Sequence, residues 1–441
     1  MTVAGDRPRL DTTSRGLRVV SEPMSGVRSV ALGIWIGVGS RFETPAQAGV
    51  SHFLEHLLFK GTPQYTAEQI AQIFDGFGGE VNAATGRDYT VVYIRVLDEI
   101  LERGVPVIAD MLVRPTFAEL DQEREVVCEE IAMYADDPED QVHDLLARAI
   151  FPDQPLGRPV IGTAEVVANI PKPEIAAYHA NHYRAPNMVV AAAGNVDHDA
   201  LLALADALLA DLPGGGPPEP PVPAHHGGSQ VALLQKPTEQ VHLCIGGPGL
   251  TRSDPRRHAQ AVLDTMLGGL MSSRLFQEVR EKRGLAYSVG SYTAGYADAG
   301  QVVVHLGTRE DNLATCCSII QAELRKLRDN PVDDTELRRA KDHLKGRLVL
   351  GTESPGTRMN RLGRAVVTET ELLTIDDIIE RVEAVQASDI QALAGEFWQP
   401  DDMSVAAVGP NVDLIRAGIA KVTPHLADAA PLDLAAGALA R

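Results

Sequence analysis

The chain has 441 residues, 40 Lys+Arg against 60 Asp+Glu, a formal net charge of −20 and 44% hydrophobic residues. That balance excludes a disordered chain and argues against a nucleic-acid binder, which would carry basic patches. No run approaches the roughly 20 apolar residues of a membrane span, so neither nucleic acid nor a membrane is expected as a partner.

The stretch from Met1 to Val20 lacks the apolar core of a secretory signal, and Asp6 and Asp11 speak against a transit peptide. The cysteines Cys128, Cys244, Cys316 and Cys317 are too few for a disulfide framework and none has CxxC spacing. A reducing bacterial cytoplasm without a targeting segment is the expectation, with Cys316 and Cys317 as small core residues.

Along the chain, Val30 to Arg41 (VALGIWIGVGSR) is a strand-like run. GVSHFLEHLLFKGT follows as a helix, with Ser51 as its expected cap and Gly61 as its stop. Tyr89 to Leu112 is a β-branched strand leading into an amphipathic helix, and Ala118 to Asp140 is a helix rich in carboxylates. Asn187 to Asp197 (NMVVAAAGNVD) is a further strand, placed after a helix ending in YHANHYRAP. The Pro/Gly-dense stretch from Leu212 to Gly228 sustains neither helix nor strand and reads as an extended linker.

The order then repeats. VHLCIGGPGLTR (241–252) stands where the first strand stood, Gln301 to Leu327 repeats strand then helix, and DMSVAAVGPNVD (402–413) follows a helix ending in ALAGEFWQP. Matching segments in the same order indicate duplication. The expected fold class is α+β, with two homologous domains, each a mixed β-sheet covered on one side by helices. They are expected over residues 1–212 and 229–441, with the linker at 213–228.

His52-Phe53-Leu54-Glu55-His56 has the inverted zinc spacing HxxEH. At about 100° per residue, His52 and His56 lie one turn apart with Glu55 in the same arc, while Phe53, Leu54, Leu57 and Leu58 turn toward the core. Two imidazoles at i and i+4 can take adjacent corners of a tetrahedral zinc site, and the carboxylate beside them can reach a water there without being a ligand. An ordinary amphipathic helix with two histidines shows the same pattern, so a third protein ligand has to decide. In the Ala118 to Asp140 helix, Glu123 and Glu130 share a face, with Val126, Val127 and Ile131 offering apolar contact. A Glu there can complete a His2Glu site while the other orients a histidine from behind; a solvated acidic helix is the alternative.

With these residues the chain resembles the pitrilysin family of zinc endopeptidases, most closely its short, two-domain processing-peptidase branch and bacterial relatives. HFLEHLLFKGT is similar to the family's metal helix. REVVCEEI places Glu130 at the third ligand's position and Glu123 at that of the supporting carboxylate. GGEVNAATGRDYTVVYIRV resembles the edge strand along which family members bind substrate backbone by strand addition, with Asn82 and Ala83 in the Asn-Ala position. SSRLFQEVREKRGLAYSVGSY resembles an element whose Arg and Tyr hold the scissile carbonyl and the substrate, and the spacing selects Arg280 and Tyr287.

The resemblance implies one Zn²⁺ per chain on His52, His56 and Glu130, since the second half has no HxxEH, with water in the fourth position and Glu55 as general base. It implies an endopeptidase that hydrolyses unfolded peptides or presequences inside a closed chamber of four such domains. This chain would supply two of them, half of a clamshell, so a homodimer is expected, with Arg280 and Tyr287 acting across it. Competing readings are a non-catalytic scaffold subunit of the same fold, a zinc-binding regulatory protein, and a maturase dedicated to one peptide precursor. The complete metal set argues against the first.

Overall fold

The structure, a computed structural model, describes residues 7–216 and 218–433. The outermost residues of the domains expected at 1–212 and 229–441, and one residue of the linker, lie outside that range.

The first half of the chain begins with strands β1 (Arg9–Thr12), β2 (Arg18–Pro23) and β3 (Ser29–Ile36), then helices α1 (Val50–Leu58) and α2 (Ala67–Phe77). Strands β4 (Glu80–Thr85) and β5 (Thr90–Leu97) precede helices α3 (Leu101–Val113), α4 (Leu120–Asp136), α5 (Pro138–Ile150), α6 (Ala164–Asn169) and α7 (Lys172–His182). Strand β6 (Met188–Gly194) and helix α8 (His198–Leu208) close it. The second half runs through β7 (Val231–Gln235), β8 (Val241–Pro248), α9 (Arg257–Leu267), β9 (Ala286–Gly295), β10 (Gly300–Thr308) and α10 (Glu310–Asp329). It continues with α11 (Asp334–Gly351), α12 (Pro355–Val367), α13 (Ile375–Ala384), α14 (Ala387–Phe397), β11 (Ser404–Gly409) and α15 (Val412–Val422).

Among the described residues there are two sheets, ordered β1-β2-β6-β3-β5-β4 and β7-β11-β8-β10-β9. In the first, β2 and β6 are parallel and every other pairing is antiparallel; in the second, β7 and β11 are the parallel pair. The duplication inferred from sequence is thus repeated in topology. β4 and β9 are edge strands of their sheets. Residues 213–216 and 218–228 form neither helix nor strand, as their composition requires.

The central strands carry apolar residues without alternation: β6 is buried throughout and β3 at all but its first residue. Such runs require both faces of a sheet to be covered, which corrects the expectation of one-sided cover. On one face of the first sheet, α1, α2, α3, α7 and α8 build the main core. On the other, Met359, Leu362 and Val366 of α12 pack against Val20, Ala31, Trp35 and Ala191. The second sheet receives α5 in the same way, through Val142, Leu145 and Leu146 against Ala232, Cys244 and Val303.

The compact units are therefore not the contiguous halves 1–212 and 229–441. Among the described residues, one comprises 7–131, 159–216, 218–222 and 349–374, the other 132–158, 223–348 and 375–433. The physical reason is that each sheet's second apolar face is buried by a helix drawn from the opposite half of the sequence.

Within the first unit, α12 is held by Glu22, which is 2% exposed on β2 and engages Arg358 at 2.5 Å together with Arg361. Gly363 permits the close approach, since a Cβ there would stand 2.0 Å from Trp35 Nε1.

The carboxylate-rich stretch is two helices rather than one. Pro138 lacks an amide hydrogen and restricts its predecessor, so α4 ends at Asp136. Asp137 caps α5, accepting from the amides of Glu139 and Asp140 at 2.8 and 3.4 Å. Of the apolar contacts expected on α4, Val127 is fully buried and Ile131 packs on the core, but Val126 is 47% exposed. Cys316 and Cys317 are buried in the core, as expected. Among the described residues no helix is long and apolar enough to cross a membrane.

Candidate metal centre

Helix α1 begins at Gly49, whose φ of 96° lies in the left-handed region and whose Cβ would sit 2.6 Å from the Ile161 carbonyl. The first turn is capped by a distant side chain. The buried Glu43 carboxylate accepts from the Gly49 and Ser51 amides, both at 2.8 Å, and its negative charge suits a helix N-terminus. Ser51, expected as the cap, lies inside the helix, with its hydroxyl 2.9 Å from that of Tyr178. Phe53, Leu54, Leu57 and Leu58 are all fully buried. That fixes the roll of α1 and turns His52, Glu55 and His56 to the opposite side.

Helix α4 is fastened by Arg124, whose guanidinium donates to the carbonyl of Val167 and, at 2.9 Å, to that of Ile170. Glu130 then faces α1. Its Oε2 lies 3.8 Å from His52 Nε2 and 3.4 Å from His56 Nε2. One donor atom from each of these residues lies within 4.8 Å of the others, and among the described residues no other group of at least three potential ligands does so.

His56 Nδ1 sits 2.8 Å from Oε1 of the nearly buried Glu123. With a metal on Nε2, an acceptor there holds the remaining ring proton on Nδ1. The other Glu123 oxygen is 2.5 Å from Lys60 Nζ. Burial, reinforced by His56, holds the His52 pKa down at about 4, so its ring is neutral near pH 7. His52 Nδ1 is buried without a hydrogen-bond partner among the described residues. Two imidazoles and one carboxylate, their donor atoms already gathered, fit a zinc ion held by His52, His56 and Glu130.

Glu55 stands beside this set but outside it. Its Oε2 accepts the Thr85 hydroxyl at 2.5 Å, and the Thr85 backbone amide also bonds to it. Burial raises the Glu55 carboxyl above the usual range; Thr85 and His56 pull it back, and Glu130 pushes it up again. Thr85 was not singled out in the sequence, although it closes the same NAAT phrase as Asn82 and Ala83. The turn after it is clamped by the buried Arg41–Asp88 pair at 3.1 Å and by the Ser40 and Arg41 amides, which donate to the carbonyls of Gly86 and Arg87.

On β4, Asn82 is exposed and its Oδ1 accepts the Ala83 amide at 2.8 Å, while Ala83 packs against the core. In the second unit, Arg280 and Tyr287 are brought together. Arg280 lies in a π-helical turn (Phe276–Glu281), and its guanidinium sits 4.8 and 4.5 Å from the ring centres of Phe276 and Tyr287. It also donates to the Tyr287 carbonyl at 2.9 Å, and the Tyr287 side chain is left exposed at the start of β9.

A Ser-His-Asp arrangement also occurs. The Ser21 hydroxyl is 2.8 Å from His198 Nδ1, and His198 Nε2 is 3.0 Å from Asp11. Ser21 is fully buried within β2, so no substrate reaches it, and the arrangement braces β1, β2 and α8.

Residues 18–164, which contain the whole metal centre, match the family model described as insulinase, peptidase family M16. This chain belongs to the M16 peptidase family. Residues 169–344 match the M16 inactive domain, in keeping with a second half that lacks HxxEH. Family membership agrees with the pitrilysin resemblance read from the sequence. Among M16 relatives, an uncharacterised zinc protease of Streptomyces coelicolor is 43% identical, covering 92% of this chain and 90% of its own. The uncharacterised zinc protease YmxG of Bacillus subtilis is 39% identical over 91% and 98%. Two solved structures share the fold at 23% identity. A protease from Helicobacter pylori has a TM-score of 0.87 and covers 92% of this chain and 100% of its own. A peptidase M16 inactive domain from Pseudomonas fluorescens has a TM-score of 0.86 over 92% and 98%.

Proposed function

We propose that this chain is a zinc-dependent endopeptidase acting on extended, unfolded peptides. The observation that carries the reading is the convergence of His52 Nε2, His56 Nε2 and Glu130 Oε2, with Glu55 alongside and not among the ligands. A zinc ion bound by these residues supplies a Lewis acid that polarises the scissile carbonyl and acidifies water. Glu55 takes the proton of the attacking water and passes it to the departing amine; its burial, which raises the carboxyl's proton affinity, suits a group that both accepts and donates. Thr85 fixes the plane of that carboxylate.

β4 is an edge strand and can take up a substrate strand by backbone pairing once the Asn82 side chain releases the Ala83 amide, and this selects extended chains over folded ones. Asn82 and Ala83 lie on that strand. The Arg280–Tyr287 pair, one member stacked and the other exposed, suits a polar hold on the substrate carbonyl, supplied by a second copy in a homodimeric chamber.

Substituting Glu55→Gln should abolish cleavage of a quenched peptide while zinc remains bound. Cleavage at the wild-type rate would sink the assignment. Mixing Glu55→Gln with Tyr287→Phe tests the shared site: recovered activity supports it, and none counts against it.

A further inference from the structure

Glu123 is 4% exposed and both of its oxygens are engaged, Oε1 by His56 Nδ1 at 2.8 Å and Oε2 by Lys60 Nζ at 2.5 Å. Lys60 lies two residues beyond the end of α1, and its amide donates to the Leu57 carbonyl at 3.2 Å, so its stem springs from the turn that follows His56. We propose that Lys60 is a positioning residue of the metal centre: it pins Glu123 from behind, so that Glu123 in turn holds His56 with Nε2 presented beside Glu130. The inference rests on the zinc reading of that site.

The physical case is that a carboxylate taken out of water needs its lone pairs matched. Bonded to the imidazole alone, Glu123 would be free to rotate about its last torsion and would hold the ring loosely. The ammonium on Oε2 removes that freedom and balances the charge next to a ligand. An ammonium beyond the C-terminus of α1 also complements the helix dipole. Outer partners of metal ligands act by fixing tautomer and ring orientation, and their loss typically weakens metal binding about 10- to 100-fold.

The rival role for Lys60 is a plain strut between α1 and α4. The two differ in what they move: a strut supports the metal-free fold alone, whereas a positioning residue also sets metal affinity and the ligand field. The test uses the full chain stripped of metal, as wild type, Lys60→Met and Lys60→Arg. Zinc affinity is read by competition with a chromophoric chelator, the ligand field by the visible spectrum of the Co²⁺-loaded form, and stability by thermal unfolding of the metal-free form.

The expected result is a roughly 10- to 100-fold loss of zinc affinity in Lys60→Met with an altered Co²⁺ spectrum, a lowered metal-free melting temperature because Glu123 loses its partner, and recovery of most affinity and of the spectrum in Lys60→Arg. Zinc affinity in Lys60→Met within about twofold of wild type would overturn the inference alone. So would a loss of affinity that leaves the Co²⁺ spectrum as in wild type and is not rescued by Lys60→Arg. Failure of the wild type to bind zinc would overturn the metal reading itself, a result distinct from either.

Discussion

The hydroxyl of Thr85 donates to Glu55 Oε2 at 2.5 Å, so the carboxylate next to the metal ligands is held by the last residue of the sheet's edge strand. A segment suited to receiving a peptide is thereby tied to the group proposed to move its proton. A hydrogen bond to a charged group contributes about 1.5–3 kcal/mol. Thr85→Val, which keeps the shape and removes the hydroxyl, should lower kcat about 10- to 100-fold with zinc content unchanged, and Thr85→Ser should remain near wild type. Steady-state kinetics beside metal analysis check this; wild-type kcat in Thr85→Val would remove Thr85 from the machinery.

Glu43 caps the metal helix from outside it, through two amides. Replacing a helix cap costs about 0.5–2 kcal/mol, and the amides left behind are buried beside Tyr178. Glu43→Ala should therefore destabilise the fold by about 2 kcal/mol and weaken zinc binding with it. Urea unfolding of the metal-free form is the measurement; unchanged stability would mean that α1 needs no such cap.

Glu22 is the anion that fastens α12 to the first sheet through Arg358 and Arg361. Breaking a buried pair from one side costs about 3–5 kcal/mol, so Glu22→Ala should be among the more damaging single changes in this unit. Gly363→Ala should also destabilise, by about 1–3 kcal/mol, because its methyl meets the Trp35 ring. Denaturant midpoints of the two variants decide both points.

In the second unit, His143 of α5 bonds to the Tyr292 hydroxyl at 2.8 Å and stacks near His305. Burial lowers the pKa of His143, of His305 and of His242. Their neutral forms are favoured when folded, so the unfolded chain takes up protons first. Stability from this source is complete above about pH 6.5, the ordinary histidine value, and drains as pH falls below it. Unfolding free energy should be lower at pH 5.5 than at pH 7.5, and His143→Gln should flatten the slope. An equal slope in wild type and His143→Gln would show that this ring does not contribute.

Much of the architecture was legible along the chain. The strand runs at 30–41 and 241–252 became β3 and β8, and the strand-then-helix segments became β5 with α3 and β10 with α10. Apolar periodicity is a local property, so it survives into the fold. The expectations that failed did so where a local rule met a distant partner. Ser51 resembled a cap, but Glu43 reached the same amides first. Val126 was expected beside Val127 and Ile131 as an apolar contact, but the roll of α4 buries Val127 and leaves Val126 exposed.

The sequence by itself determined the pairing of His52 with His56 and the placing of Glu55 in their arc, because one helical turn sets those positions covalently. It also determined the duplication, whose repeated segments need no contacts to be seen. Only the tertiary structure decided that Glu130 Oε2 meets both imidazoles, that Lys60 and Glu123 stand behind His56, and that Thr85 holds Glu55. It alone decided that α5 and α12 each cover the sheet of the opposite half. These relationships join residues far apart in the chain, and their geometry is set by which apolar faces must be buried together.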